Sequence, residues 1–433
     1  MWGEPTFFFI VLVSLLIDYY AVQLIDYAEG GLKKRLLQLV VSLNVLNLVI
    51  HKYLMFVVFN MSEVFRAAGM GELSAVWIAL PIGISFITFQ KISYAVDVYR
   101  GIRPSMERFV DYGLYIMFFP QLIAGPIIRF HEVADQIKDR LQQENIDSKL
   151  IGFKRFIIGL SKKLLIANPL GLFVNEVFEL LPLGIGMGLA WLGIIAYSFQ
   201  IYFDFSAYSD MAIGLARMVG FKFPENFQFP YISQSITEFW RRWHITLSKW
   251  MRDYLYIPLG GNRVSTARLY LNLWIVFLIS GLWHGAQWTF VIWGAFHGLW
   301  LVVERLFLEK QMAKWKKFPR IAFTYVIVLI GWVFFRASSL PEALSYIGQM
   351  FSFSAGDIFI PIDAYLLCIL LLATIFSFMG AWPKIERMVE DLLQQPLSSR
   401  AVLWQMGLMI VLGFLCITEL YASGFNPFIY FRF

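Results

Sequence analysis

The stretch "LYLNLWIVFLISGLWHGAQWTFVIWGAFHGLWLVV", residues 269–303, runs from end to end without one Asp, Glu, Lys or Arg. A helix that crosses the hydrocarbon core of a bilayer needs about 20 consecutive apolar residues. The run is therefore slightly short for two full spans, and the turn between them has to fall at "SGLWHGAQW" (280–288), below the outer membrane surface. That turn carries a titratable imidazole, His284, between Gly281 and Gly285. Ionisable side chains at membrane depth are costly and usually functional, and the two glycines would let a backbone or a substrate come close. The plainer reading is an interfacial histidine within a belt formed by Trp283 and Trp288. On this stretch alone the two readings are evenly matched.

The rest of the chain has the same character. Of 433 residues, 59% are hydrophobic, 18% aromatic and only 15% charged, against roughly 45–50% apolar and about 25% charged in a soluble domain. Further apolar runs fall near 6–25, 37–60, 74–96, 112–130, 155–175, 187–204, 321–336, 364–381 and 402–422. The expected fold class is an all-α polytopic membrane protein with about ten spans. Basic stretches at 33–35, 149–163, 241–252 and 305–320 are placed in the cytoplasm, and the more acidic 337–363 and both termini outside. "FFPQLIAGPIIRF" (118–130) contains Pro120, Gly125 and Pro126 and reads as a broken, re-entrant segment, which only a protein surround can tolerate at membrane depth. The net charge of +6 suits anionic lipid headgroups. No basic polar face for nucleic acid is present. Cys368 and Cys416 lie in apolar segments and read as small buried side chains, not as a disulfide or metal site.

Two more stretches carry groups able to do chemistry. "EFWRRWHITLSKWMRDYLYIPLGGNR" (238–263) alternates Trp240, Trp243 and Trp250 with Arg241, Arg242, Lys249 and Arg252 around His244. An interfacial amphipathic helix explains it plainly, and spacing alone does not beat that reading; the same chemistry would also suit the mouth of a site for an anionic, phosphate-bearing donor such as coenzyme A or phosphopantetheine. "YFDFSAYSDMAIGLARMVG" (202–220) places Asp204, Ser206, Asp210 and Arg217 in a helix, where they are expected to pair with one another or with the Arg/His-rich segment in a supporting role. His51, His131 and His297 read as structural or interfacial. No phosphate loop, nucleophile elbow, dinucleotide fingerprint or Cys/His metal spacing appears.

Taken together, "LPIGISFITFQKISYAVDVYRG" (80–101), "FFPQLIAGPIIRF", "DFSAYSDMAIGLARMVGF" (204–221), "FQFPYISQSITEFWRRWHITLSKWMRDYLYIPLGGNR" (227–263) and "GLWHGAQWTFVIWGAFHG" (281–298) resemble the membrane-bound O-acyltransferase family. The likeness is closest to its bacterial branch, which modifies alginate and lipoteichoic acid. It runs from about 75 to 305 and resumes at "FIYFRF", 428–433.

The resemblance implies one integral-membrane domain over 1–433, with ten to eleven helices and re-entrant segments ringing a central tunnel. Family members carry a further apolar segment before the "WGEP" position at which this chain begins. It implies an O-acyltransferase, expected to be an acetyltransferase, of the bacterial cytoplasmic (inner) membrane. No cofactor is held permanently; the donor is a thioester, acetyl-CoA or the phosphopantetheine arm of an acyl carrier protein. The partners are membrane lipids and an extracytoplasmic SGNH-type transferase, and the product is an O-acylated polysaccharide or cell-surface polymer. His284 matches the signature histidine, the base, and His244 the second recurrent one, beside the donor path. A neutral imidazole, with an unperturbed pKa of about 6.5, suits that work. Arg241, Arg242 and Arg252, with Trp240 and Trp243, are candidate donor contacts. Tyr430 in the aromatic tail (423–433) is a candidate acyl carrier after Gly424 and Pro427 turn the chain back. A transporter of acylated lipid or polysaccharide and a docking scaffold are the competing classes; the lack of an inverted repeat counts weakly against the first.

Overall fold

The computed structural model of the protein describes residues 5–71, 73, 81, 83–122, 125–395, 399–423, 427 and 428. Every regular element among them is helical. Eight of these helices are long and apolar enough to cross a membrane, which makes the chain an all-α polytopic membrane protein. Three of the expected runs fall outside the eight. The 74–96 run gives a helix only 16 residues long, with 74–80 outside the described residues. The 112–130 run breaks at Met117. The 187–204 run becomes part of a 32-residue helix that carries charge.

The chain divides into two compact units, 1–143 and 144–433. In the first, α1 (Pro5–Tyr27), α2 (Gly30–Ala67) and α3 (Ile84–Tyr99) pack together. Most residues of α3 are buried, including Lys91 and Asp97. Buried charge survives only when paired, and here it is. Lys91 Nζ lies 2.7 Å from Asp18 of α1 and donates to Ser14 Oγ at 2.8 Å, while Asn44 of α2 donates to the other Asp18 oxygen at 2.8 Å. After α4 (Phe109–Met117) comes a single 3₁₀ turn, Phe119–Gln121, before α5 (Phe130–Lys138). Pro120 and Gln121 are buried there while Phe119 is exposed, so the helix breaks where the prolines predict. His131, expected to lack a distinctive partner, has one: its Nδ1 sits 2.8 Å from Asp97.

In the second unit, α6 (Ile146–Ser161), a π turn (Lys162–Ala167) and α7 (Asn168–Glu179) form one long helix against α8 (Met187–Met218). Pro169 has no N–H for the carbonyl one turn back, and the helix widens in the turn before it. Glycines allow the close approach: a Cβ on Gly152 would lie 2.5 Å from the Gly214 carbonyl, and one on Gly214 2.5 Å from the Gly152 carbonyl. The short α9 (Ile236–Arg242) and α10 (Ile245–Met251) follow, then α11 (Thr266–His284) and α12 (Trp288–Val303). Next come α13 (Glu309–Met312), α14 (Lys317–Arg336), α15 (Leu340–Met350), α16 (Ala364–Phe378), α17 (Pro383–Gln394) and α18 (Ser399–Ser423). Cys416 is buried, whereas Cys368 is exposed on α16, the chemistry of an apolar residue facing lipid.

Candidate active site

His284 is the last residue of α11, and the turn to α12 spans only three residues, 285–287. Gly281 and Gly294 let the two helices touch: a Cβ on Gly281 would sit 2.3 Å from the Phe290 carbonyl oxygen, and one on Gly294 2.3 Å from that of Phe277. Gly285 is extended (φ −166°), so its role is space, because a Cβ there would fall 2.2 Å from the Phe290 ring. The glycines thus serve the approach of one backbone to another. This packing buries the His284 imidazole among aromatic rings, with Trp283 at 4.8 Å, Trp293 at 5.0 Å and Phe335 at 5.1 Å between centroids.

His244 lies in the break between α9 and α10, so the basic aromatic segment is not the continuous amphipathic helix that composition allows. Its backbone is left-handed (φ 44°, ψ 53°), a conformation that costs a residue with a Cβ roughly 1–2 kcal/mol. Long-range contacts hold it there. The main-chain N–H of Ile245 donates to the Asn226 carbonyl at 2.9 Å, and that of Gln228 to the Arg242 carbonyl at 3.0 Å. The His244 side chain is fully buried and meets Asn226 Oδ1 through Nδ1 at 3.1 Å. Its ring lies 6.1 Å from that of Trp283. One indole therefore touches both histidines that the sequence singles out.

Basic side chains from two distant segments meet on the same unit. Arg241 of α9 lines a cleft of about 640 Å³ together with Arg305 and Arg320, which flank α13. Among the described residues none of these three arginines has an ion-pair partner. Three carboxylates also line the cleft: Glu304 caps α9 by accepting from the Ile236 N–H at 2.6 Å, Glu238 pairs with Arg242 at 2.9 Å, and Glu309 begins α13.

Residues 26–340 match the membrane-bound O-acyltransferase family. The chain belongs to that family. Among its relatives, the probable alginate O-acetylase of Azotobacter vinelandii is 49% identical over 306 residues, 71% of this chain and 60% of the relative. The peptidoglycan O-acetyltransferase of Helicobacter pylori is 38% identical over 366 residues, 78% of this chain and 68% of its own length. The teichoic acid D-alanyltransferase of Bacillus subtilis is 28% identical over 259 residues, 58% and 65% of the two chains. The chain spans about 60% of the length of the alginate O-acetylase relatives it matches.

The other candidate residues of this membrane-bound O-acyltransferase family member sort by what they touch. Arg242 is engaged by Glu238 and, at 2.8 Å, by Glu386 of α17, and it also donates to the Gln228 carbonyl at 3.1 Å. Its guanidinium braces the α9–α17 contact. Arg252 is exposed and pairs with Asp253 at 2.7 Å. Arg305 and Arg320, which the sequence left unmarked in a generic basic stretch, line the cleft beside Arg241. Trp240 and Trp243 are buried: Trp240 packs on Trp293 and His297, Trp243 on Trp332.

Asp204, Ser206 and Asp210 all meet basic side chains, but of a segment other than the Arg/His-rich one. Their partners come from the helix packed against α8. Asp210 is 2.8 Å from Arg155 and 2.6 Å from Lys162, Lys163 pairs with Asp204, and Lys162 Nζ reaches Ser206 Oγ at 3.5 Å. The π turn presents two consecutive lysines to α8, which no hydropathy pattern signals. Tyr430 lies outside the described residues. Of the tail, the Pro427 carbonyl accepts from Lys163 Nζ at 3.0 Å, and the Phe428 ring lies 4.6 Å from that nitrogen and 5.1 Å from Tyr208. This part of the tail packs back on the chain.

Proposed function

We propose that the protein is an O-acyltransferase of the bacterial cytoplasmic membrane. It moves an acyl group, acetyl in the reading favoured by its alginate and peptidoglycan relatives, from a cytoplasmic thioester to an extracytoplasmic polymer, with an SGNH-type transferase as partner. The observation that carries the proposal is the pair of buried imidazoles, His244 and His284, whose rings lie 6.1 and 4.8 Å from that of Trp283. A hydroxyl oxygen attacks the thioester carbonyl while His284 takes its proton; the C–S bond breaks and the departing thiolate recovers the proton from the imidazolium. An ester and a free thiol result. The test supplies labelled acetyl-CoA and labelled acetyl carrier protein separately to purified protein. Thiol release with one of them and label in a hydroxyl acceptor are expected. Consumption of neither would return the protein to the transporter or scaffold class.

The three-arginine cleft supports a phosphate-bearing donor, since guanidinium groups recognise phosphate oxygens in pairs. Arg241→Ala, Arg305→Ala and Arg320→Ala are each expected to raise the donor KM roughly tenfold, the scale of a hydrogen bond to a charged group, with kcat retained. The loss shrinks as salt screens the wild type. A donor KM unchanged in all three would make the cleft a headgroup anchor.

Tyr430 is proposed to hold the acyl group as a phenolic ester between the thioester and the partner transferase, its proton passing to His284. Tyr430→Phe removes one oxygen. It is expected to abolish acyl mass on the tail peptide and to reduce polymer acylation by about 10² or more, the low end of what a positioned acid–base step contributes. Full acylation by this variant would leave the tail as an anchor.

A further inference from the structure

Hydrogen-bond chemistry around Asn226 determines more about His244 than its position. Asn226 Oδ1 faces three groups: the Thr246 main-chain N–H at 3.3 Å, the Thr246 hydroxyl at 2.8 Å and His244 Nδ1 at 3.1 Å. A main-chain N–H can only donate, so the atom it faces is the amide oxygen and the amide cannot be turned over. The opposite end agrees, with Asn226 Nδ2 donating to Ser209 Oγ at 3.0 Å. An amide oxygen only accepts. The hydrogen of a neutral His244 therefore resides on Nδ1, and the lone pair is on Nε2.

His244 is neutral. Its ring contacts are Phe205 at 4.7 Å, Phe227 at 6.4 Å and Trp283 at 6.1 Å, and no carboxylate pairs with it among the described residues. Burial pushes its pKa down to about 3. Nε2 is buried too and has no hydrogen-bond partner among the described residues. An unmet buried acceptor is destabilising, in addition to the left-handed backbone. Two costs at one buried residue are what a site prepared for a ligand displays.

We propose that Asn226 is a positioning residue that holds His244, whose ring lies 6.1 Å from that of Trp283, as the Nδ1–H tautomer, so that Nε2 keeps its lone pair and accepts a hydrogen bond from the reacting molecules. This rests on the acyl-transfer reading and gives His244 a role in it. An imidazole with no hydrogen on Nε2 cannot polarise a thioester carbonyl by donating to it; it orients a hydroxyl or an amide N–H by accepting. Ser209, Asn226 and Thr246, none of them prominent in the sequence, form the support.

The test begins with the wild type, which has five histidines. In full-length protein labelled with ¹⁵N-histidine and reconstituted in lipid, the signal lost in His244→Gln should show a pyrrole-type Nδ1 and a pyridine-type Nε2. The reverse assignment overturns the proposal, whatever the activity. Asn226→Leu is expected to mix the tautomers and to lower kcat by about 10², with donor KM changed by less than about twofold. Asn226→Asp keeps the shape and adds an anion beside Nδ1. An anion favours the protonated ring, so the acid limb of the rate profile should move to higher pH, with activity recovered on the alkaline side. A rate and pH profile identical to wild type in Asn226→Asp, together with a kcat unchanged in Asn226→Leu, would also overturn it. A protein that transfers no acyl group yet shows His244 as Nδ1–H would refute the acyl-transfer reading and leave the tautomer assignment intact.

Discussion

Replacing His284 by alanine is expected to lower acyl transfer by about 10²–10⁴, the range that a positioned proton acceptor contributes. The loss should fall on kcat, because the imidazole acts on the attacking hydroxyl and not on the donor's phosphates. The helix should survive the change. His284 closes α11 where the chain already turns, and alanine is a strong helix former. What the ring leaves behind is a cavity among Trp283, Trp293 and Phe335. Thermal retention in detergent should therefore fall modestly while activity falls by orders of magnitude. Wild-type turnover in a well-folded His284→Ala protein would remove the base from the mechanism.

The largest expected effect on stability belongs to Asp210. One carboxylate faces Arg155 and Lys162 in the contact between α8 and the long helix before it, and all but Lys162 are nearly inaccessible to solvent. Deleting one member of a buried ion pair leaves charge without compensation and costs about 3–5 kcal/mol. Asp210→Ala should sharply reduce the folded protein recovered from membranes and lower the detergent melting midpoint. Replacing Lys162 by methionine in the same chain should restore part of the loss, since one stranded cation is then gone. Arg155 keeps a second partner, Glu225, so the rescue should be partial. A midpoint equal to wild type in Asp210→Ala would show that the ladder contributes nothing to assembly.

The difference between Arg241 and Arg242 shows where sequence reading ends. The two are adjacent and chemically identical, and composition gives both to the donor. The fold sends one into a cleft with Arg305 and Arg320 and the other into a cluster with Glu238 and Glu386. Three of those four neighbours, Arg305, Arg320 and Glu386, lie far away in the chain, so no local pattern announces them. The π turn at Lys162–Ala167 is a similar case. Pro169 marks a disturbed helix, but that two successive lysines reach two different aspartates depends on α8.

His244 lies further still from local rules. Nothing in "RRWHIT" asks for a left-handed residue; glycine or asparagine would be the ordinary choice. The conformation is imposed by main-chain and side-chain bonds to Asn226, eighteen positions earlier. The tautomer follows from the same amide. The helix break and the orientation of Nε2 were therefore out of reach of any reading along the chain.

What the sequence by itself determined was everything that depends on summed local preference. Apolar runs of spanning length made the protein a helical membrane protein, because a bilayer forces each backbone group to find its partner within a helix. Prolines broke the 118–130 segment, and Gly281 and Gly285 marked His284 as a point of close approach. Only the tertiary structure decided which charges pair, which arginines remain open to an anion and which imidazole nitrogen carries the hydrogen. Each of these depends on the distance and direction between groups remote in sequence, and a hydrogen bond or ion pair exists or fails over a few tenths of an ångström.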